Sequence, residues 1–106
     1  MSVWTAWGDE ELMGIGALKQ LSPSAGEIKS MRTDARHLRK GVGVALLDHI
    51  IAEAQQRGYR RLSLETGSGP EFDAALSLYR KRGFRNGEPF GGYVASHFNQ
   101  FLHLEL

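Results

Sequence analysis

The run Leu38-Arg39-Lys40-Gly41-Val42-Gly43-Val44 puts two cations and two glycines at one point of the chain. Before it, Glu27-Ile28-Lys29-Ser30-Met31-Arg32-Thr33 reads as an extended segment. After it, an amphipathic run reaches Gly58 and reads as a helix. A strand, a glycine-containing turn and a helix N-terminus together form an anion site. The first N–H groups of a helix lack intrahelical partners, and the helix dipole favours negative charge beside them. Gly41 and Gly43 carry no Cβ, so a phosphate can come close. The local chemistry is that of a phosphate or pyrophosphate binder. The glycine pair taken alone reads equally well as tight packing of a helix on its sheet. Two common phosphate fingerprints do not fit. Leu46 stands where G-x-G-x-x-G requires its third glycine, and no Gly-Lys-Ser/Thr follows a glycine at the P-loop spacing.

The elements that must hold this run follow from periodicity. Ser2 to Trp7 is rich in strand formers, Gly8-Asp9-Glu10 signals a turn, and Leu12 to Leu21 reads as a partner strand. Gly14 and Gly16 weaken that strand and point to a bulge or to close packing. Ser22-Pro23-Ser24 turns the chain into a third strand, Ala25 to Thr33, antiparallel to the second. The first helix is expected from about Arg39 to Arg57, with Leu46, Leu47, Ile50, Ile51 and Ala54 on one face. Leu62 and Leu64 mark a short strand, parallel to the third because a helix crosses between them.

Thr66 to Pro70 forms a loop. A second helix then starts near Pro70, carries Ala74, Ala75, Leu78 and Tyr79 on one face, and stops at Gly83. Asn86-Gly87 and Gly91-Gly92 are turns, with room for a short strand near Phe90. Phe98 to Leu106 alternates as a last strand. The fold class is α/β with a mixed sheet, in the order β-β-β-α-β-α-β. Trp4 and Trp7 point to opposite faces of the first strand, which leaves at least one exposed or covering a partner.

Composition bounds the function classes. The 106 residues are enough for one small domain, 1–106, with 42% hydrophobic and 24% charged residues. A net charge of +1 argues against a nucleic-acid or anionic-membrane partner. The absence of Cys removes disulfides, thiolate metal sites and a thiol nucleophile. His37, His49, His97 and His103 lack ligand spacing, so no metal is expected. No apolar run reaches membrane-span length and the N-terminus does not look like a signal peptide, so the expected compartment is the cytoplasm.

Three motifs carry a family resemblance. Leu38 to Gly43 resembles the Arg/Gln-x-x-Gly-x-Gly/Ala loop that binds the acetyl-CoA pyrophosphate in the GNAT N-acetyltransferase superfamily, with Leu38 in place of the usual Arg/Gln and with Arg39 and Lys40 beside it. Arg57 to Thr66 resembles the family's following strand. Ala75-Leu76-Ser77-Leu78-Tyr79-Arg80-Lys81-Arg82-Gly83-Phe84 resembles its A-x-x-x-Y-x-x-x-G-F helix end. The resemblance implies a central parallel pair of strands that splays apart, with pantetheine lying between Glu27–Thr33 and Leu62–Thr66.

By the same resemblance the chain corresponds to the domain from its second strand onward, without the first strand and the helices behind it. A homodimer is then expected to cover the exposed sheet edge.

The resemblance also implies a reaction: acetyl transfer from acetyl-CoA to a primary amine of a small molecule or peptide. Backbone groups of Met31 and Thr33 hold the pantetheine and thioester, and Arg32 between them is counted with the cofactor site, with an anionic group of the substrate or plain solvent as its alternative partners. Leu38, Arg39, Lys40, Gly41, Val42, Gly43 and Val44 surround the pyrophosphate. Ser68 stands near the family's pantetheine-contacting position. Tyr79 matches the tyrosine that approaches the CoA sulfur and is read as general acid, since a phenol with a pKa of about 10 is protonated at neutral pH. Glu27 is read as the candidate base, with Glu65 on the facing strand and a base-free route as alternatives. Arg80-Lys81-Arg82 and Arg85 read as a solvated helix end or a contact for the adenosine 3′-phosphate. A second function class stays open: a CoA-binding or dimerisation module derived from the same domain, without turnover.

Overall fold

In the structure, a computed structural model, residues 1–8, 10–33 and 41–106 are described. The elements are β1 (Ser2–Gly8), β2 (Glu11–Ser22), β3 (Ala25–Thr33), α1 (Val42–Gln56), β4 (Arg61–Thr66), α2 (Asp73–Lys81), β5 (Arg85–Asn86) and β6 (Gln100–Glu105). A single 3-10 turn, Pro70–Phe72, leads into α2. The strands form one sheet in the order β1-β2-β3-β4-β6-β5. Pairings are antiparallel except β3 with β4, which is parallel, as the helical crossover requires. The short extra strand lies at Arg85–Asn86 rather than near Phe90, where the chain instead turns, with the Tyr93 N–H donating to the Phe90 carbonyl at 3.0 Å.

Both helices pack on one face of the sheet. Leu47, Ile50 and Ala54 of α1 are fully buried and meet Leu18, Leu62 and Leu102 of the strands. From α2 the buried side chains are Leu76 and Tyr79. Ala74, Ala75, Leu78 and Tyr79 share a face, as read from the sequence; it walls a cavity, with Tyr79 in the core and Ala75 and Leu78 packed against it, and Leu76 reaches the core on the neighbouring flank. Trp4 lies half-buried beneath α1, edge-on to His49 at 5.4 Å, while Trp7 is 60% exposed.

The β2–β3 ladder explains how the site opens. Ile15 pairs with Arg32 and Ala17 with Lys29, so two steps of β2 match three of β3. The extra residue is a bulge in β3, and Ser30 takes the left-handed conformation there with φ 57°. Opposite it, Gly16 faces Met31 and Ile50. A Cβ on Gly16 would lie 2.6 Å from the Met31 sulfur and 2.9 Å from Ile50 Cδ1. The close packing read for the β2 glycines therefore holds here, while the bulge at this place lies opposite them in β3. No helix among the described residues is long and apolar enough to cross a membrane.

Candidate active site

The parallel seam between β3 and β4 is short. Ala25, Gly26 and Glu27 pair with Arg61, Leu62 and Ser63, and there the pairing stops. Beyond it the strands part, as the resemblance implied. The backbone along this open edge is free to pair with an extended ligand, because every buried N–H and C=O needs a partner. Two cavities fill the gap.

The first cavity, about 220 Å³, is lined by Met31, Arg32 and Thr33 from β3, Gly41, Gly43 and Val44 from the start of α1, and α2 residues that include Tyr79. Gly41 caps α1 with φ 76°, a conformation that suits glycine, and no side chain caps the helix. The first helical bond runs from the Ala45 N–H to the Gly41 carbonyl at 3.0 Å, so the N–H groups of Val42, Gly43 and Val44 have no intrahelical acceptor. No acidic residue sits in the first turn to offset the positive end of the dipole. Val42 is itself buried, with a methyl 2.8 Å from where a Gly14 Cβ would be, so only its backbone faces a ligand. Leu38, Arg39 and Lys40 lie outside the described residues.

The second cavity, about 340 Å³, runs along the open seam and shares Met31 and Tyr79 with the first. Its walls include Glu27, Glu65, Gly67, Phe72, Tyr93 and Phe98. Tyr79 is 6% exposed and packs edge-on against Phe84 at 5.7 Å. Burial pushes its phenol up to about 12. Its hydroxyl makes no hydrogen bond among the described residues. Glu27 is 3% exposed, and its Oε2 accepts a 2.6 Å hydrogen bond from the Tyr93 hydroxyl. That bond, with burial second, pushes Tyr93 up to about 12.

Beneath this wall, Ser63 and His103 continue the row from Glu27 across β4 and β6. His103 Nε2 lies 2.8 Å from the Glu88 carbonyl, which can only accept, so Nε2 carries a proton. In the neutral ring Nδ1 then accepts from the Ser63 hydroxyl at 2.7 Å.

The predicted residues thus fall into two groups. Met31, Arg32, Thr33, Gly41, Gly43, Val44, Tyr79 and Glu27 converge on the paired cavities. Ser68 does not: its hydroxyl accepts from the Gln100 side chain at 3.0 Å, and Gly67 takes the wall position, pressed beneath Phe72 and Phe98. Two of the basic residues at the end of α2 are engaged elsewhere. Arg82 pairs with Asp48 at 2.6 Å, and Arg80 donates to Asn86 and Gln100. Sequence reasoning missed Phe72, Phe98 and above all Tyr93. Tyr93 is 66 residues from Glu27 in a loop without periodicity, and only its place beside the Gly91-Gly92 turn marks it.

A mixed sheet splayed at a short parallel seam, with an uncapped helix N-terminus at the mouth, is the framework of the acetyltransferase (GNAT) family. The chain matches that family's model over residues 1–84 and belongs to the family. Among its relatives, an uncharacterised N-acetyltransferase of Bacillus subtilis, YsnE, is 57% identical over 93 residues, which is 88% of this chain and 62% of that protein. A second, YedL of Escherichia coli, is 47% identical over the whole chain and 67% of its own length. The chain therefore spans 62% and 67% of the lengths of these two relatives, and about half or less of several others that it matches. A Bacillus subtilis acetyltransferase in complex with CoA has the same fold, with a TM-score of 0.79 at 26% identity over 98% of this chain and 76% of that one.

Proposed function

We propose that the protein transfers an acetyl group from acetyl-CoA to a primary amine, with residues 1–106 acting as one domain. The observation that carries this reading is the meeting of the two cavities at Met31 and Tyr79, with the open N-terminus of α1 at the far end of the first. The first cavity takes the cofactor: pyrophosphate on the N–H groups of Val42, Gly43 and Val44, pantetheine along Met31 to Thr33. The CoA complex of the B. subtilis relative supports the choice of ligand. The second cavity takes the amine.

The transfer then runs as follows. The ammonium gives one proton to Glu27 and its nitrogen attacks the thioester carbonyl. The C–S bond breaks with its electron pair on sulfur. The second nitrogen proton leaves as the amide forms and ends on sulfur or in solvent. Tyr79 serves the departing sulfur. Full proton transfer from a phenol near 12 to a thiolate of pKa about 8.5 would run uphill by about 5 kcal/mol. Tyr79 therefore acts as a hydrogen-bond donor to the developing charge rather than as a free proton source.

Calorimetric titration with acetyl-CoA tests the reading. The Cβ position of Gly41 is open, but its φ of 76° strains any other residue, so Gly41→Ala controls for strain and Gly41→Glu adds the charge. The glutamate variant is expected to bind at least about tenfold more weakly than the alanine variant, ~1.4 kcal/mol. A folded wild-type chain that does not bind acetyl-CoA would falsify the assignment. Self-association belongs to the same reading, supported by the edge strand β1 and by Val3, Trp7 and Leu12, all exposed on its flank. A purely monomeric species in sedimentation at micromolar concentration would remove that part.

A further inference from the structure

The second cavity has a chemistry of its own. Two carboxylates face it, Glu27 from β3 and Glu65 from β4, and neither has an ion-pair partner among the described residues. Four aromatic rings line it, Phe72 and Phe98 packed edge-to-face at 5.5 Å, with Tyr79 and Tyr93. Among the described residues Lys29 is the cation on its wall, so the described lining carries two negative groups against one positive. A buried carboxylate without a counter-charge costs several kcal/mol unless hydrogen bonds or a cation compensate. At Glu27 the Tyr93 hydroxyl compensates only in part, through one oxygen. Aromatic faces beside carboxylates favour an ammonium on an apolar body, because the rings add cation–π attraction and bury carbon.

Resting on the acetyl-transfer reading, we propose that this cavity is the acceptor subsite, that it selects an amine on an apolar body without a carboxylate, bound as the ammonium between Glu27 and Glu65, and that Tyr93 is the positioning residue for Glu27. A carboxylate on the acceptor would enter a cavity that already carries two, and repulsion at a few ångströms in a partly desolvated site costs about 1 kcal/mol or more. Tyr93 fixes one oxygen of Glu27, which leaves the other for the ammonium.

The test compares 2-phenylethylamine with phenylalanine, which differ by one carboxylate. Each is titrated calorimetrically into the protein, alone and saturated with CoA, so the result does not depend on turnover. The amine is expected to bind at least about tenfold more tightly than the amino acid, ~1.4 kcal/mol. Glu65→Gln should cut that ratio to about threefold or less, ~0.7 kcal/mol. Tyr93→Phe should weaken the amine several-fold while CoA affinity stays within about twofold, a split that general unfolding would not give. Phenylalanine binding as tightly as the amine, a ratio unchanged in both Glu65→Gln and Glu27→Gln, or no binding of either probe would each overturn the inference. Acetyl-CoA binding, measured separately, decides the acetyl-transfer reading.

Discussion

At Tyr79, burial sets both reactivity and stability. The hydroxyl has no partner among the described residues, so removing it loses little packing but takes away a donor at the cavities. Tyr79→Phe is expected to lower kcat about 10²-fold, the cost of one donor to a developing charge, with KM for acetyl-CoA nearly unchanged. Equal rates for variant and wild type would refute the role.

The raised pKa also makes a stability prediction. Unfolded, the phenol ionises near 10; folded, it holds its proton to about 12. Above pH 10 the unfolded state binds fewer protons, so stability falls between pH 10 and 12, by about 3 kcal/mol at most. Denaturant titrations across that window should show a smaller alkaline loss in Tyr79→Phe than in wild type.

Tyr79 was legible because its spacing from Gly83-Phe84 survives in sequence. Tyr93 was not, because nothing local links a loop tyrosine to a glutamate 66 positions away. Ser68 misled because one step along a loop turns a side chain from the cleft to Gln100.

Among the elements, α1 lies close on β2 because two glycines let it. A Cβ on Gly14 would lie 2.8 Å from Val42 Cγ1 and 3.1 Å from the Arg32 carbonyl oxygen, neither of which yields easily. On Gly16 it would meet the Met31 sulfur and the tip of Ile50, which can rotate away. Gly14→Ala is therefore expected to destabilise by about 1–3 kcal/mol and Gly16→Ala by less, measured by chemical denaturation. The reverse order would contradict this packing. Gly16→Ala should still disturb the site, since Met31 lines both cavities.

Hairpins, the crossover and the α1 face were legible because each is a local periodicity. The bulge at Ser30 was not, because it arises from how β3 registers on β2. The face of α2 was half legible. Its apolar side chains were found, but which of them meet the core and which meet a cavity depends on the gap left by β3 and β4.

Across the whole molecule, the sheet is two three-stranded panels, β1-β2-β3 and β4-β6-β5, joined by three residue pairs. A ligand that lies along the open edge adds contacts to both panels at once. Saturating acetyl-CoA at about 100 times its Kd should stabilise the fold by about 2.7 kcal/mol, raising Tm by about 10 °C or more for a domain of this size. Because this gain depends only on affinity and concentration, a shift of a degree or two at that saturation would mean that the ligand also binds the unfolded chain or that the two panels do not unfold as one unit.

The short seam has one more consequence. A sheet that is only stitched at one end behaves like an unfinished weave, and the missing thread is supplied by metabolism. On the proposed acetyl transfer, how much of the protein stands intact at a given temperature would follow the abundance of acetyl-CoA, so scarcity of the donor would thin the population of the protein that uses it.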